Sequence, residues 1–200
     1  MSAEGIEQRL EEVAQLARRC VGIGEIGLDD FNQTISSPDW ELQVFALRKQ
    51  ARMAKERGLP VVLHLRGIIT GRTARTCLGA ILGSSHKIYI HSFLEGEAEL
   101  GDWVSVFPNL RIGASPALLR PENSAARDAF RNTSLRRILL ETDTPYMKVP
   151  GEPRPPQGPL QRGPADICAV AEGLAAIRQI PRDYLLDHCG VNARLFFSLA

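Results

Sequence analysis

The 200-residue chain sets 24 Lys and Arg against 23 Asp and Glu, is 44% hydrophobic and 24% charged, and carries a formal net charge of +1. That composition excludes disordered and fibrous classes, and the balanced charge excludes a global field able to gather a polyanion, so any nucleic-acid binding must be local. A chain of this length buries roughly 70% of the surface its unfolded form exposes, enough for one core, and residues 1–200 read as a single domain.

Ile6, Leu10, Val13 and Leu16 fall on one helical face, with Glu and Arg on the other, so the chain opens in an amphipathic helix. "CVGIGEIGL" (20–28) is too glycine-rich for a helix and reads as a short buried strand running into a loop. Ser37-Pro38 predicts an N-cap followed by proline at the first helical position. Trp40, Val44, Leu47 and Ala51 continue that helix until Gly58 stops it.

The runs "LPVVLHL" (59–65), "KIYIHSF" (87–93), "LRIGASPAL" (110–118) and "RRILLETD" (136–143) complete five strand candidates that alternate with helix candidates. Strands apolar on both faces and 20 or more residues apart are what crossover helices join, which predicts an α/β fold with a parallel sheet. "PGEPRPPQGPLQRGP" (150–164) is expected to be a surface or functional loop, a helix follows over Ile167 to Ile177, and one or two more begin at Pro181.

Cys20, Cys77, Cys168 and Cys189 lie far apart and form no C-x-x-C pair, which argues against a disulfide framework or zinc knuckle and for a reducing compartment. No apolar run approaches the ~20 residues of a membrane span, and no signal-peptide core appears at the start. The expectation is a cytoplasmic or nuclear protein with no membrane partner.

Glu25, His64, His91 and Asp143 each stand at the end of a separate strand candidate. The carboxyl ends of parallel strands are where α/β folds bind ligands, and two imidazoles with two carboxylates suit a divalent metal. Taken singly, each has a plainer reading. A histidine at a strand end is more often a hydrogen-bonded core residue, Glu25 can pair with a basic neighbour, and Asp143 before Thr144-Pro145 can simply start a turn. The coincidence of all four favours the metal.

In order, "GEIGLDD" (24–30), "GLPVVLHLRG" (58–67), "IHSF" (90–93) and "LLETDTPYM" (139–147) resemble the signatures of the TatD family of metal-dependent nucleases. The resemblance extends to "FALRKQARMAKERGLP" and "NARLFF" (192–197), and so over nearly the whole chain. It implies a TIM-type (β/α) barrel whose mouth holds two divalent ions, Mg, Mn or Zn, and hydrolyses DNA or RNA as a 3′-5′ exonuclease. Carried over, Glu25 bridges both metals, His64 and His91 complete one site, and Asp143 belongs to the other. Glu25 and Asp143 become the catalytic carboxylates, with Asp143 able to take a proton from the attacking water. Arg66, on the same side of an extended strand as His64, is expected to contact a phosphate of the substrate.

One element of the family pattern is missing. The H-x-H pair of the first barrel strand is absent, since the histidines are His64, His86, His91 and His188. The chain begins at what reads as the helix before the GEIGLD strand, so an incomplete barrel lacking its first βα units is expected, with one metal rather than two. Its open edge would favour self-association. Beside the nuclease stand two rival readings, a non-catalytic remnant acting through protein association and a metal hydrolase of another substrate class.

Overall fold

The computed structural model describes residues 3–31, 34–147, 150 and 163–200. Most of the Pro150–Pro164 loop therefore lies outside the described residues. The chain divides into two compact units, one of Met1–His91, Asp102–Leu110 and Phe196–Ala200, the other of Ser92–Gly101 and Arg111–Leu195.

The first unit runs α1 (Ala3–Leu16), β1 (Ile23–Asp29), α2 (Ser37–Arg57), β2 (Val61–Arg66), α3 (Thr70–Gly79) and β3 (Ile88–Ile90). Helix α4 (Glu97–Val106) begins in the second unit and ends in the first. The second unit continues with β4 (Arg111–Ala114), α5 (Ser124–Asn132), β5 (Ile138–Leu140), α6 (Ile167–Arg178) and most of α7 (Arg182–Phe197). This is the α/β alternation that the spacing of apolar runs predicts. Five strands are present among the described residues, against the eight of a closed barrel of this type. No helix among them is long and apolar enough to cross a membrane.

In the first unit β1 pairs with β2 and β2 with β3, all parallel. Ile23, Ile26, Leu28, Val61, Leu63, Ile88 and Ile90 are buried, with Leu47, Ala51 and Ala54 of α2 and Ala74 and Leu78 of α3 also buried. In the second unit β4 and β5 are parallel, and Ile112, Ala114, Ile138 and Leu139 are buried along with Phe130, Val170, Leu174 and Leu185.

Helix α2 is capped one residue earlier than the sequence suggests. Ser36, not Ser37, is extended and accepts the Asp39 amide on its Oγ at 3.3 Å. Its last turn holds Lys55 and Arg57, and Gly58 takes the left-handed conformation beyond it, φ 65°. Several strands are shorter than their apolar runs. Ser92 has φ 45°, which ends the extended chain after β3, and Ser115-Pro116 turns the end of the "LRIGASPAL" run into a 3-10 turn.

The glycines of "GEIG" have a steric reason. A Cβ on Gly27 would lie 1.7 Å from the His64 carbonyl oxygen, and one on Gly24 would lie 2.5 Å from the Val62 Cβ. Only glycine lets β1 approach β2 this closely.

Candidate metal centre

Glu25 reaches its place through an irregularity in β1. Ile23 pairs with Val61 and Ile26 with Leu63, so three steps on β1 oppose two on β2. An extra residue in one strand is a β-bulge, which shifts the alternation of faces and re-aims a side chain. Ile23 and Ile26 can therefore both be buried while Gly24 and Glu25, between them, are exposed.

His64 and His91 come level by register. Leu63 pairs with Ile90, and the His91 amide donates to the Leu63 carbonyl at 2.9 Å, which sets the next residues of the two strands side by side. The imidazoles stack with centroids 6.2 Å apart at 24°. His64 lies within β2, which continues to Arg66, rather than at the strand's end as the sequence suggests.

One ligand atom each from Glu25, His64 and His91 lies within 4.8 Å of the others. Glu25 Oε2 is 3.6 Å from His64 Nδ1, and Glu25 Oε1 is 3.6 Å from His91 Nδ1. These separations are too long for good hydrogen bonds. They are close to the roughly 3.4 Å edge between tetrahedral ligands that each sit about 2.0–2.1 Å from a metal. One carboxylate and two imidazoles are also a donor set for a borderline divalent ion. The residues fit such a metal.

A second layer adjoins His64. Asp29 and Arg66, paired in register across β1 and β2, form a two-pronged ion pair through Nε and Nη2 at 2.7 and 2.5 Å. Asp29 Oδ2 also stands 3.4 Å from His64 Nε2, on the far side of the ring from Glu25. Arg66 holds the Asp29 carboxyl below the usual carboxylate range, against the opposing effect of burial, and Asp29 raises Arg66 in turn. The Arg66 guanidinium lies 4.4 Å from the centre of the Phe31 ring, which is 60% exposed. Arg66 is thus already engaged by a carboxylate, a fact its position alone does not reveal. Asp29 stands in the "GEIGLDD" motif, where the sequence alone shows no task for it. The signal that could have found it is the opposite charge of Arg66 once "GEIGLD" and "VVLHLR" are set in register.

Asp143 lies in the second unit and is not a member of the Glu25–His64–His91 group. It follows β5 with φ 52°, a conformation in which Asp is several-fold enriched. Its carbonyl accepts the amides of Tyr146 and Met147 at 2.9 and 3.1 Å, so the turn expected after it is present. Its neighbour in the motif, Glu141, has a visible role that the sequence did not suggest. Glu141 Oε1 accepts the Ser92 amide at 2.5 Å, and Ser92 Oγ lies 2.7 Å from Ser115 Oγ, which fixes the chain directly after His91.

The TatD related DNase family model matches residues 2–198. The 3′-5′ ssDNA/RNA exonuclease TatD of Erwinia amylovora is 32% identical over 180 residues, covering 90% of this chain and 66% of that protein. An uncharacterized metal-dependent hydrolase of Escherichia coli K12, YjjV, is 31% identical over 203 residues, covering 100% of this chain and 71% of its own length. The crystal structure of YjjV, a TatD homologue, superposes with a TM-score of 0.79 at 26% identity, covering 100% of this chain and 72% of that one. The fold is accordingly the α/β, TIM-type arrangement that the motifs imply. The chain belongs to the TatD related DNase family. It spans about two thirds of the length of the curated relatives it matches.

Proposed function

We propose that this chain is a metal-dependent hydrolase of phosphodiester bonds in DNA or RNA, trimming strands from the 3′ end, as a single catalytic domain acting in the cytoplasm. The observation that carries the reading is the convergence of Glu25, His64 and His91 from three neighbouring strands onto one point. The Erwinia amylovora relative, a 3′-5′ ssDNA/RNA exonuclease by name, supports the substrate.

Glu25, His64 and His91 would hold one divalent ion, Mg, Mn or Zn. When bound, such an ion supplies charge stabilisation at a phosphoryl oxygen and lowers the pKa of water. The chain's own residues supply the rest. Asp29, on the Nε2 side of His64, favours the tautomer that leaves Nδ1 as the ligand atom facing Glu25. Arg66 donates Nε and Nη2 to Asp29, which leaves Nη1 for a phosphate oxygen of the substrate. Asp143 is assigned the role of proton acceptor on the strength of its motif, as the second catalytic carboxylate beside Glu25.

The test is metal content and cleavage on one purified sample, with a 3′-labelled single-stranded oligonucleotide, added Mg²⁺ or Mn²⁺, and a His91→Ala control. The reading expects about one ion per chain and cleavage lost with the histidine. Metal bound without cleavage would favour a scaffold acting through association instead. Cleavage unchanged in His91→Ala would remove this site from the chemistry.

A further inference from the structure

The first unit carries a second feature, separate from the metal-ligand group. Helices α2 and α3 flank a groove of about 700 Å³ whose lining includes Trp40, Glu41, Phe45, Arg48 and Arg52 from α2 and Arg72 from α3. Residues 40, 48 and 52 are multiples of four apart, which places Trp40, Arg48 and Arg52 on one face of α2. The three arginines are exposed, and among the described residues none has an ion-pair or hydrogen-bond partner. Arg75, one turn further along α3, is by contrast paired with Asp102 at 2.7 Å. Against three cations the groove sets one acid, Glu41, so a chain of net charge +1 has a local positive excess here.

We propose that this groove is a track for single-stranded nucleic acid. Cations alone would suit any anion, but Trp40 and Phe45 add half-buried aromatic rings to the same lining, the Phe45 ring with Lys49 Nζ 5.2 Å from its centre, and aromatic platforms beside cationic side chains are how bases and phosphates are held without sequence preference. Position adds a second argument. Strand β1 ends at Asp29 and α2 starts at Ser37, while β2 ends at Arg66 and α3 starts at Thr70. Trp40 and Arg72, in the first turns of their helices, therefore lie toward the end of the strands that carries Asp29 and Arg66. Arg48 and Arg52 follow farther along α2. At 1.5 Å per residue, Trp40 to Arg52 is about 18 Å, or roughly five stacked nucleotides. A strand whose end is held near Arg66 has this groove as its continuation. The inference deepens the nucleic-acid reading above and rests on it for the source of the strand.

The test is binding without cleavage. A 12-residue oligothymidylate with a fluorescein at its 5′ end is titrated in EDTA against the wild type, against Arg48→Glu/Arg52→Glu/Arg72→Glu, and against the matching triple lysine variant. Circular dichroism verifies that each is folded. The glutamate variant is expected to lose at least about tenfold in affinity, and the slope of log affinity against log salt is expected to fall by about 2, three phosphate contacts at about 0.7 each. The lysine variant is expected to keep most of the binding. Trp40→Ala is expected to cost about tenfold and Trp40→Phe far less. Unchanged affinity and slope in the folded glutamate variant would overturn the proposal, as would failure of the wild type to bind the oligonucleotide. Equal competition by polyglutamate would overturn it in favour of an acidic peptide. Groove-dependent binding in a protein that cleaves nothing with Mn²⁺ would uphold the groove while the catalytic reading falls.

Discussion

Arg66 grips the Asp29 carboxylate with two hydrogen bonds, at 2.7 and 2.5 Å, so that the charge next to His64 is fixed in place by the neighbouring strand. The pair has a small direct effect on stability and a larger one on its neighbour. Its side chains are 34% and 50% exposed, and ion pairs in such positions are worth about 0.2–1 kcal/mol. An Asp29→Asn variant should therefore lose no more than about 1 kcal/mol in urea unfolding at pH 7. The sign of the pH dependence follows from Arg66. A carboxyl held below its unfolded value stabilises the fold above that unfolded value and ceases to do so as pH falls through the folded one. The gap between wild type and variant should close below about pH 4. A gap that widens in acid would contradict the pairing. With Asp29 orienting His64, the same variant should bind Mn²⁺ or Zn²⁺ about 10- to 100-fold more weakly by calorimetry.

Two glycine-to-alanine variants separate close approach from backbone conformation. At Gly27 the new Cβ would meet the His64 carbonyl at 1.7 Å, and that atom belongs to a neighbouring backbone which cannot move without parting β1 from β2. The expected cost is about 3 kcal/mol or more, with metal affinity falling as His64 shifts. At Gly58 no atom lies within 4 Å of a new Cβ, and the penalty is only that of φ 65°, about 1–2 kcal/mol. Equal losses in the two variants by urea denaturation would mean that β1 and β2 have room to relax.

Much of the candidate metal centre is legible in the residues because its chemistry is local to motifs. Glu25, His64 and His91 stand out as polar residues in apolar runs, and parallel strands bring such positions together. What the sequence conceals is pairing. The bulge at Gly24–Glu25 breaks the alternation that strand reading assumes, so Glu25 faces outward for a reason no periodicity reveals. Asp29 and Arg66 are 37 residues apart, and Glu141 and Ser92 are 49 apart. Each partner alone reads as an ordinary surface or turn residue. Strands end before their apolar runs for a related reason, because runs such as "LRIGASPAL" continue into turns that are buried without being extended.

The "NARLFF" stretch shows a motif residue whose role is structural. Asn192, 8% exposed on α7, donates its amide to the carbonyls of Leu135 at 2.8 Å and Ile138 at 2.9 Å, just where β5 begins. Asn192→Ala removes the donor that serves both. A buried acceptor deprived of its partner costs about 1–3 kcal/mol, so the urea midpoint should fall with an unchanged slope. Asn192→Asp should be worse at pH 7, since it sets a negative charge against two carbonyl oxygens. An aspartate variant as stable as the wild type would show that β5 does not depend on this contact.

The four cysteines should separate cleanly by reactivity. Cys20 and Cys168 are exposed, while Cys77 and Cys189 are 6% and 3% exposed, and burial pushes the Cys189 thiol up to about 12. The thiolate is the nucleophile, so at pH 8 only ~10⁻⁴ of Cys189 would be in the reactive form even if a reagent reached it. Arg178 offsets this only in part, being itself disfavoured as a cation by burial. Ellman's reagent should therefore titrate two thiols quickly in the native protein and four in denaturant. Because Cys189 sits on α7 three residues before Asn192, its exposure reports the same packing as the β5 contact. A variant at Asn192 that loosens α7 should raise the fast count from two toward three, and a third fast thiol in the wild type that persists in Cys77→Ser would mean that α7 is not seated as described.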